Sequence, residues 1–157
     1  MRILLILSLA LLGCSSSKKA AGAQEHHAQD LEHKECAACG MTVRDQPAPR
    51  GQLIHRDGTQ LYFCSISDMV TYLAAPSPHG AAVTLYVESL DKVSDPLAPT
   101  TEQLPWLDAK SAHYVIGVDK KMVMGRPVLS YSSPEQAQDI AARHGGTVVS
   151  WHDLQTK

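Results

Sequence analysis

The chain is poor in aromatic residues, 5% of 157 with a single phenylalanine, so its core has to rest on Val, Leu, Ile, Met and Ala. It has no excess of either charge. Fourteen Lys and Arg stand against sixteen Asp and Glu, a formal net charge of −2, and that balance lacks the basic footprint of a nucleic-acid binder. No apolar run approaches the about 20 residues that cross a bilayer. Only four cysteines are present, and only one Cys-x-x-Cys pair, Cys36 and Cys39. Structural zinc usually takes four ligands, often from two such pairs, so the missing second pair weakens that reading.

What the N-terminus does contain sets the compartment. Arg2 precedes the apolar stretch from Ile3 to Leu12, which has the length of a secretory h-region. Gly13-Cys14 ends it as a bacterial lipoprotein signal ends. We therefore expect a signal peptide over 1–13, lipidation of Cys14, and a polar tether over 14–35. An ordinary signal with a chance cysteine would leave Ser15–Ser17 and Lys18-Lys19 without a purpose. Stable anchoring takes more than one acyl chain, and a lipidated cysteine supplies several. His26, His27 and His33 read as solvated linker residues. The expected location is the bacterial cell envelope, lipid-anchored and facing the periplasm, where thiols are under oxidising conditions. With Cys14 lipidated, Cys36, Cys39 and Cys64 remain, and an odd count implies a free thiol or a metal site.

The globular part reads as one pattern used twice. Gly51–Arg56 and Thr59–Cys64 are strand-like and flank Asp57-Gly58, a hairpin signal in which both turn positions take positive φ. Ser67 is a candidate cap for a helix whose apolar positions are Val70, Leu73 and Ala74, and Val83–Val87 is a third strand. The order returns with His113–Val118, then Lys121–Met124 and Val128–Tyr131 across Gly125–Pro127. Ser133 caps the next helix with Pro134 at its first position. Ala137, Ile140 and Ala141 are its buried face, Gly145-Gly146 its stop, and Thr147–Trp151 its return strand. The expectation is an α+β fold of two similar ββαβ units, 36–90 and 113–157, joined by a Pro-rich connector over 91–112 in which Trp106 packs.

The chemistry lies in Glu35-Cys-Ala-Ala-Cys-Gly-Met41. A redox pair of the thioredoxin type opens a helix, but Gly40, Pro47 and Pro49 leave no comfortable helix start here. Copper(I) is soft and selects thiolate and thioether donors, and Cys39 and Met41 offer one of each around a flexible Gly40. A third donor has to come from elsewhere. Met122 and Met124 share a strand face, although methionine also fills core gaps. Met69 reads as core, and Cys64 as buried or a substitute ligand. His55 and His113 read as packed or exposed strand residues. A disulfide, zinc and copper(I) all remain open at this point.

An ordered set of residues then resembles the accessory lipoprotein of nitrous oxide reductase, the NosL family. It comprises the lipoprotein signal, Cys39-Gly40-Met41, Tyr62-Phe63 before a helix with Asp68, Asp108–Gly117, Met124-Gly125, Ser130–Ser133 and His144–Gly146. The resemblance covers 36–154. It implies a copper(I)-binding metallochaperone with Cys39, Met41 and Met124 as ligands; Cys36, Met122 and Cys64 are the less favoured donors of this chain's own residues, and carrying an ion requires no bond making, so no enzyme activity is expected. It implies as partners nitrous oxide reductase, whose copper-sulfur centre receives the metal, and the reductase's membrane maturation transporter. This chain departs from the family pattern by adding Cys36, which raises a Cys36–Cys39 disulfide that would block metal. The alternatives are a thiol-disulfide redox lipoprotein using Cys36 and Cys39, and an envelope lipoprotein with a structural zinc.

Overall fold

Runs of apolar and β-branched residues make seven short strands among the described residues, which lie in two sheets. The computed structural model describes residues 27–122 and 126–156. The expected signal peptide, Cys14 and Met124 fall outside them. In the first sheet β1 (Gly51–His55) is central. It pairs antiparallel with β2 (Gln60–Phe63) on one side and β3 (Ala82–Glu88) on the other, and β4 (Trp106–Asp108) extends the edge beyond β3. In the second sheet β5 (His113–Ile116) is central between β6 (Val128–Tyr131) and β7 (Thr147–Val149), again antiparallel to both. Helix α1 (Ile66–Leu73) follows β2 as α2 (Pro134–His144) follows β6. The strand orders β2-β1-β3 and β6-β5-β7 are the same arrangement, so the expected α+β fold with a repeated ββαβ unit is present.

Local chemistry explains most boundaries. Ser133 Oγ accepts from Gln136 N–H with Pro134 at the first turn, and Gly145 ends α2 at φ 71°. Helix α1 is capped two residues earlier than expected: Ser65, not Ser67, accepts from Asp68 N–H. Ile66 and Met69 are its buried positions, while Val70 and Leu73 are half-buried against the same core. In the first hairpin only Gly58 has positive φ, at 86°. The Asp57-Gly58 turn is therefore not the two-residue type with both positions left-handed.

Two elements were not expected. Strand β4 lies inside the Pro-rich connector. Helix α3 (Trp151–Thr156) takes Trp151 out of the last strand, with Ser150 Oγ and Asp153 Oδ2 exchanging capping bonds. Lys121 and Met122 lie outside any strand.

The core joins the two units. Leu53, Phe63, Leu85 and Val87 of the first sheet pack with Tyr114, Val128 and Val149 of the second, with Ile66 and Met69 of α1, and with Trp151 of α3. A second cluster seats Ala137, Ile140 and Ala141 of α2 on Val115, Leu129 and Tyr131. Beneath the Cys loop, the fully buried ion pair Arg50–Glu88 pins three segments. The guanidinium meets both carboxylate oxygens at 2.7 Å. It also donates to the carbonyls of Arg44, Gln46, Thr101 and Glu102. The carboxylate in turn accepts the backbone N–H of Arg50 and of Leu104.

The segment read as tether is not all solvated. Leu31 is fully buried beside Cys36, Val43, Tyr62 and Cys64. Its N–H donates to Gln103 Oε1 at 3.0 Å, and Gln29 exchanges hydrogen bonds with Gln52 and accepts from Tyr62 OH. A single leucine in a polar stretch has no periodicity to reveal it. Leu31→Ala should lower the unfolding free energy by about 2–3 kcal/mol, near the low end for a buried leucine. A denaturant midpoint unchanged from the parent would show that 27–35 does not pack on the fold.

A candidate metal centre

The Cys loop is held by backbone pairing before any metal is considered. Cys36 N–H donates to Met41 C=O and Gly40 N–H to Cys36 C=O, both at 2.8 Å, with Gly40 at φ 74°. That conformation suits glycine, and it folds residues 36 to 41 into a closed turn. Bridges Glu35↔Thr42 and Cys36↔Tyr62 stitch the turn to its own return and to β2. Ala37 N–H adds a bond to Tyr62 C=O at 2.9 Å. Since Tyr62 lies two residues before Cys64, the same stitching carries Cys64 to the loop. Val43–Asp45 then makes a single 3-10 turn. No α-helix starts at the pair, so the feature that activates a thioredoxin-type thiol is absent here.

The sulfur atoms of Cys36, Cys39 and Cys64 lie within 4.8 Å of one another. Cys39 Sγ and Cys64 Sγ are 3.6 Å apart, and Cys64 N–H donates to Cys36 Sγ at 3.4 Å. All three are free thiols. Cys36 and Cys64 are buried, and Cys39 is the half-exposed member through which the cluster meets solvent. Cys39, Met41 and Trp106, all half-buried, pack against the cluster of Leu31, Cys36, Val43, Tyr62 and Cys64. Lys34 Nζ stands 5.1 Å from the centre of the Tyr62 ring, which forms one wall.

Electrostatics separate the two buried thiols. Burial raises the Cys36 thiol, but hydrogen bonds from the backbone of Cys64, Ala38 and Cys39 and from the Cys39 side chain outweigh it and hold Cys36 below the usual thiol range. Burial pushes the Cys64 thiol up, and the hydrogen bonds and charge of Cys36 and then Cys39 push it further. Of these two thiols, Cys36 is the one whose negative charge the backbone N–H groups solvate. A cation entering the cluster would supply the positive charge that releases the other protons.

Of the residues expected at the site, the fold brings together Cys39, Cys36 and Cys64, with Met41 on the same cluster. Met122 is described and half-buried, and it is not part of the cluster. Met124 lies outside the described residues. His55 is buried elsewhere, against Gly80 C=O and Tyr72 OH. His113 sits in β5, and Met69 is core as expected. Trp106 was read only as connector packing, yet in β4, paired with β3, it packs against the apolar cluster that holds Cys36 and Cys64. Its Nε1 is buried with no hydrogen-bond partner among the described residues. A cleft of about 670 Å³ between α1, residues 116–118 and 126–128, and Leu154 holds none of the cysteines.

Comparison with known proteins places this arrangement. A family model described as NosL matches residues 28–157. The copper-binding lipoprotein NosL of Stutzerimonas stutzeri is 31% identical over 155 residues, which span 95% of this chain and 76% of that protein. The protein of the same description from Achromobacter cycloclastes is 26% identical, covering 98% of this chain and 80% of that one. The crystal structure of the copper chaperone NosL from Shewanella denitrificans superposes with a TM-score of 0.68 at 26% identity, over 80% of this chain and 93% of that one. Family model, curated relatives and solved fold agree, and this chain belongs to the NosL family.

Proposed function

We propose that this chain is a lipid-anchored copper(I) carrier of the bacterial envelope, held by Cys14 behind a cleaved signal peptide over 1–13. It would deliver the ion for assembly of the copper-sulfur centre of nitrous oxide reductase, beside the reductase's membrane maturation transporter. The observation that carries the reading is the sulfur cluster itself. Three cysteine sulfurs converge within 4.8 Å, and Met41 packs against the apolar cluster that holds Cys36 and Cys64. A donor set of sulfur alone suits a soft monovalent ion and gives a hard ion such as magnesium or calcium nothing to bind. The names of the relatives, copper-binding lipoprotein and copper chaperone, point to the same metal.

The ligands put forward are Cys39, Met41 and Met124, with Cys36, Cys64 and Met122 as substitutes. Cys39 is the entry point, because it is the half-exposed cysteine of the three. A carrier makes and breaks no covalent bond in a substrate, so no enzyme activity is part of the proposal. Exchange with a partner needs a low-coordinate site, where an incoming sulfur binds before the outgoing one leaves. Among the described residues no helix is long and apolar enough to cross a membrane.

X-ray absorption of the full chain loaded with copper(I) should give a first shell of sulfur alone. The loaded protein should also transfer its ion to a reductase lacking its copper-sulfur centre. Nitrogen or oxygen neighbours would remove the soft-site reading. Stoichiometric zinc that resists mild chelators would move the assignment to a structural metal. Failed transfer from a sulfur-bound form would leave copper binding and remove the delivery role.

A further inference from the structure

The three thiols are more than a metal needs if Met41 and Met124 are ligands, and they sit in a chain expected to work under oxidising conditions. From their contact geometry we infer that Cys39 and Cys64 form a reversible disulfide, which closes the sulfur site until a dithiol partner reopens it. The inference rests on the copper reading only for the word site; the bond itself follows from the cysteines.

Three observations choose this pair over the sequence neighbours Cys36 and Cys39. First, Cys39 Sγ and Cys64 Sγ are already in contact at 3.6 Å, so bonding asks for an approach of about 1.5 Å to the usual S–S length. Second, Cys36 Sγ is occupied as an acceptor, taking the backbone N–H of Cys64 at 3.4 Å. Bonding it to Cys39 would redirect the lone pairs that satisfy that donor. Third, Cys39 is half-exposed whereas Cys36 and Cys64 are 3% and 4% exposed. An external disulfide therefore reaches Cys39 first, and the mixed disulfide it leaves faces Cys64 at contact distance.

The exchange balances without a further reactant. The Cys39 thiolate attacks one sulfur of a protein disulfide of the thioredoxin-like class, forming a mixed disulfide and expelling one thiolate. Cys64, held protonated by burial, passes its proton to the thiolate already released as its sulfur attacks Cys39 Sγ and expels the second. Two electrons pass from the Cys39 and Cys64 sulfurs to the partner, and the two thiol protons end on the partner's sulfurs. Opening is the reverse reaction with a reduced dithiol protein. Oxidation would leave one thiol, Cys36, and the Met41 thioether on the cluster. A Cys36–Cys39 bond would instead leave Cys64, which is also buried.

The sequence supplies a clean readout. Trypsin separates Glu35–Arg44, which carries Cys36 and Cys39, from Asp57–Lys92, which carries Cys64. Full-length protein isolated in detergent and oxidised by a periplasmic-type protein disulfide would be digested under non-reducing conditions and mapped by mass. The expected result is a cross-link between the two peptides that a dithiol removes. It should persist in Cys36→Ser and vanish in Cys39→Ser and Cys64→Ser. The oxidised protein should also lose at least about 100-fold in copper(I) affinity, measured against bicinchoninate, and regain it on reduction. A bond confined to Glu35–Arg44, a cross-link that survives Cys39→Ser, or three free thiols after oxidation overturns the assignment. So does unchanged copper(I) affinity in the cross-linked form. If instead the cross-link forms as described and the fully reduced protein takes up no copper(I), the disulfide stands and the copper reading fails.

Discussion

Arg50→Met is expected to lower the unfolding free energy by about 3–5 kcal/mol, a fall in Tm on the order of 10 °C for a body this size. The reason is what remains. Glu88 is fully buried, and without the guanidinium its charge keeps only two backbone donors, Arg50 N–H and Leu104 N–H. The carbonyls of Arg44, Gln46, Thr101 and Glu102 lose a shared donor at the same time. Removing both charges with Arg50→Met and Glu88→Leu should recover part of the loss, because the uncompensated buried carboxylate is gone. It should not recover all of it, since those four carbonyls and the backbone N–H groups of residue 50 and Leu104 still lack partners. Denaturant unfolding of the two single variants and the double variant checks this. A double variant no more stable than Arg50→Met would mean that the carboxylate is not what the single substitution strands. The pair matters to function through Arg44 and Gln46, which begin where the Cys loop ends, and through residues 101–104, which lead into β4 and Trp106.

That hub was invisible in the sequence, and the contrast with what was visible has a physical cause. Elements specified by neighbours along the chain were readable. Ser133, Pro134 and Gly145 mark both ends of α2 within a dozen residues, and the recurring order of two strand-like runs, a capped helix and a third run shows the repeat without help from anything distant. Errors of detail arose where two local solutions compete. Ser65 and Ser67 both suit a cap, and only the packing of Ile66 and Met69 decides between them. Asp57-Gly58 signals a reversal, but one left-handed residue is enough to make it. The missed helix α3 had a local mark, since Ser150 and Asp153 stand at capping-box spacing; Trp151 hid it by continuing the apolar pattern of β7. Strand β4 and Leu31 had no mark at all. Three residues among prolines, and one leucine among polar residues, gain their structure from partners far along the chain.

The candidate site divides the same way. Cys39, Gly40 and Met41 announce themselves by adjacency. Cys64 enters through the Cys36↔Tyr62 bridge, a pairing of residues too far apart for spacing to suggest. This is why it was read as a substitute when its sulfur proves to be in contact with Cys39. Arg50 and Glu88 could have been suspected only as a charge bordering each of two strand-like runs. The arrangement of the molecule makes sense of that division. The donor loop is short and local, and a rigid, non-local frame of β2, β4 and the buried ion pair holds it against the sheet. Such a frame fixes sulfur positions while leaving one edge of the cluster, at Cys39, open to a partner.

Cys39→Ser should cost the largest share of copper(I) affinity of any single substitution in the chain. Altering residues that merely support a metal ligand costs about 10–100-fold, so losing the entry thiolate itself should exceed about 100-fold, or about 2.7 kcal/mol. The serine oxygen is hard and keeps its proton, so it replaces neither the softness nor the charge that a monovalent soft ion draws from a thiolate. Met41→Leu keeps the apolar volume packed on the cluster and removes only a neutral thioether, so its loss should be smaller. Cys39 is half-exposed, which means that Cys39→Ser should leave the unfolding transition nearly where it was and separate binding from folding. Competition with a copper(I) chelator, run anaerobically on reduced full-length protein, gives the order directly. Equal affinities for the parent, Cys39→Ser and Met41→Leu would place the ion somewhere other than this loop, and the sulfur cluster would then be a redox feature rather than a carrier's grip.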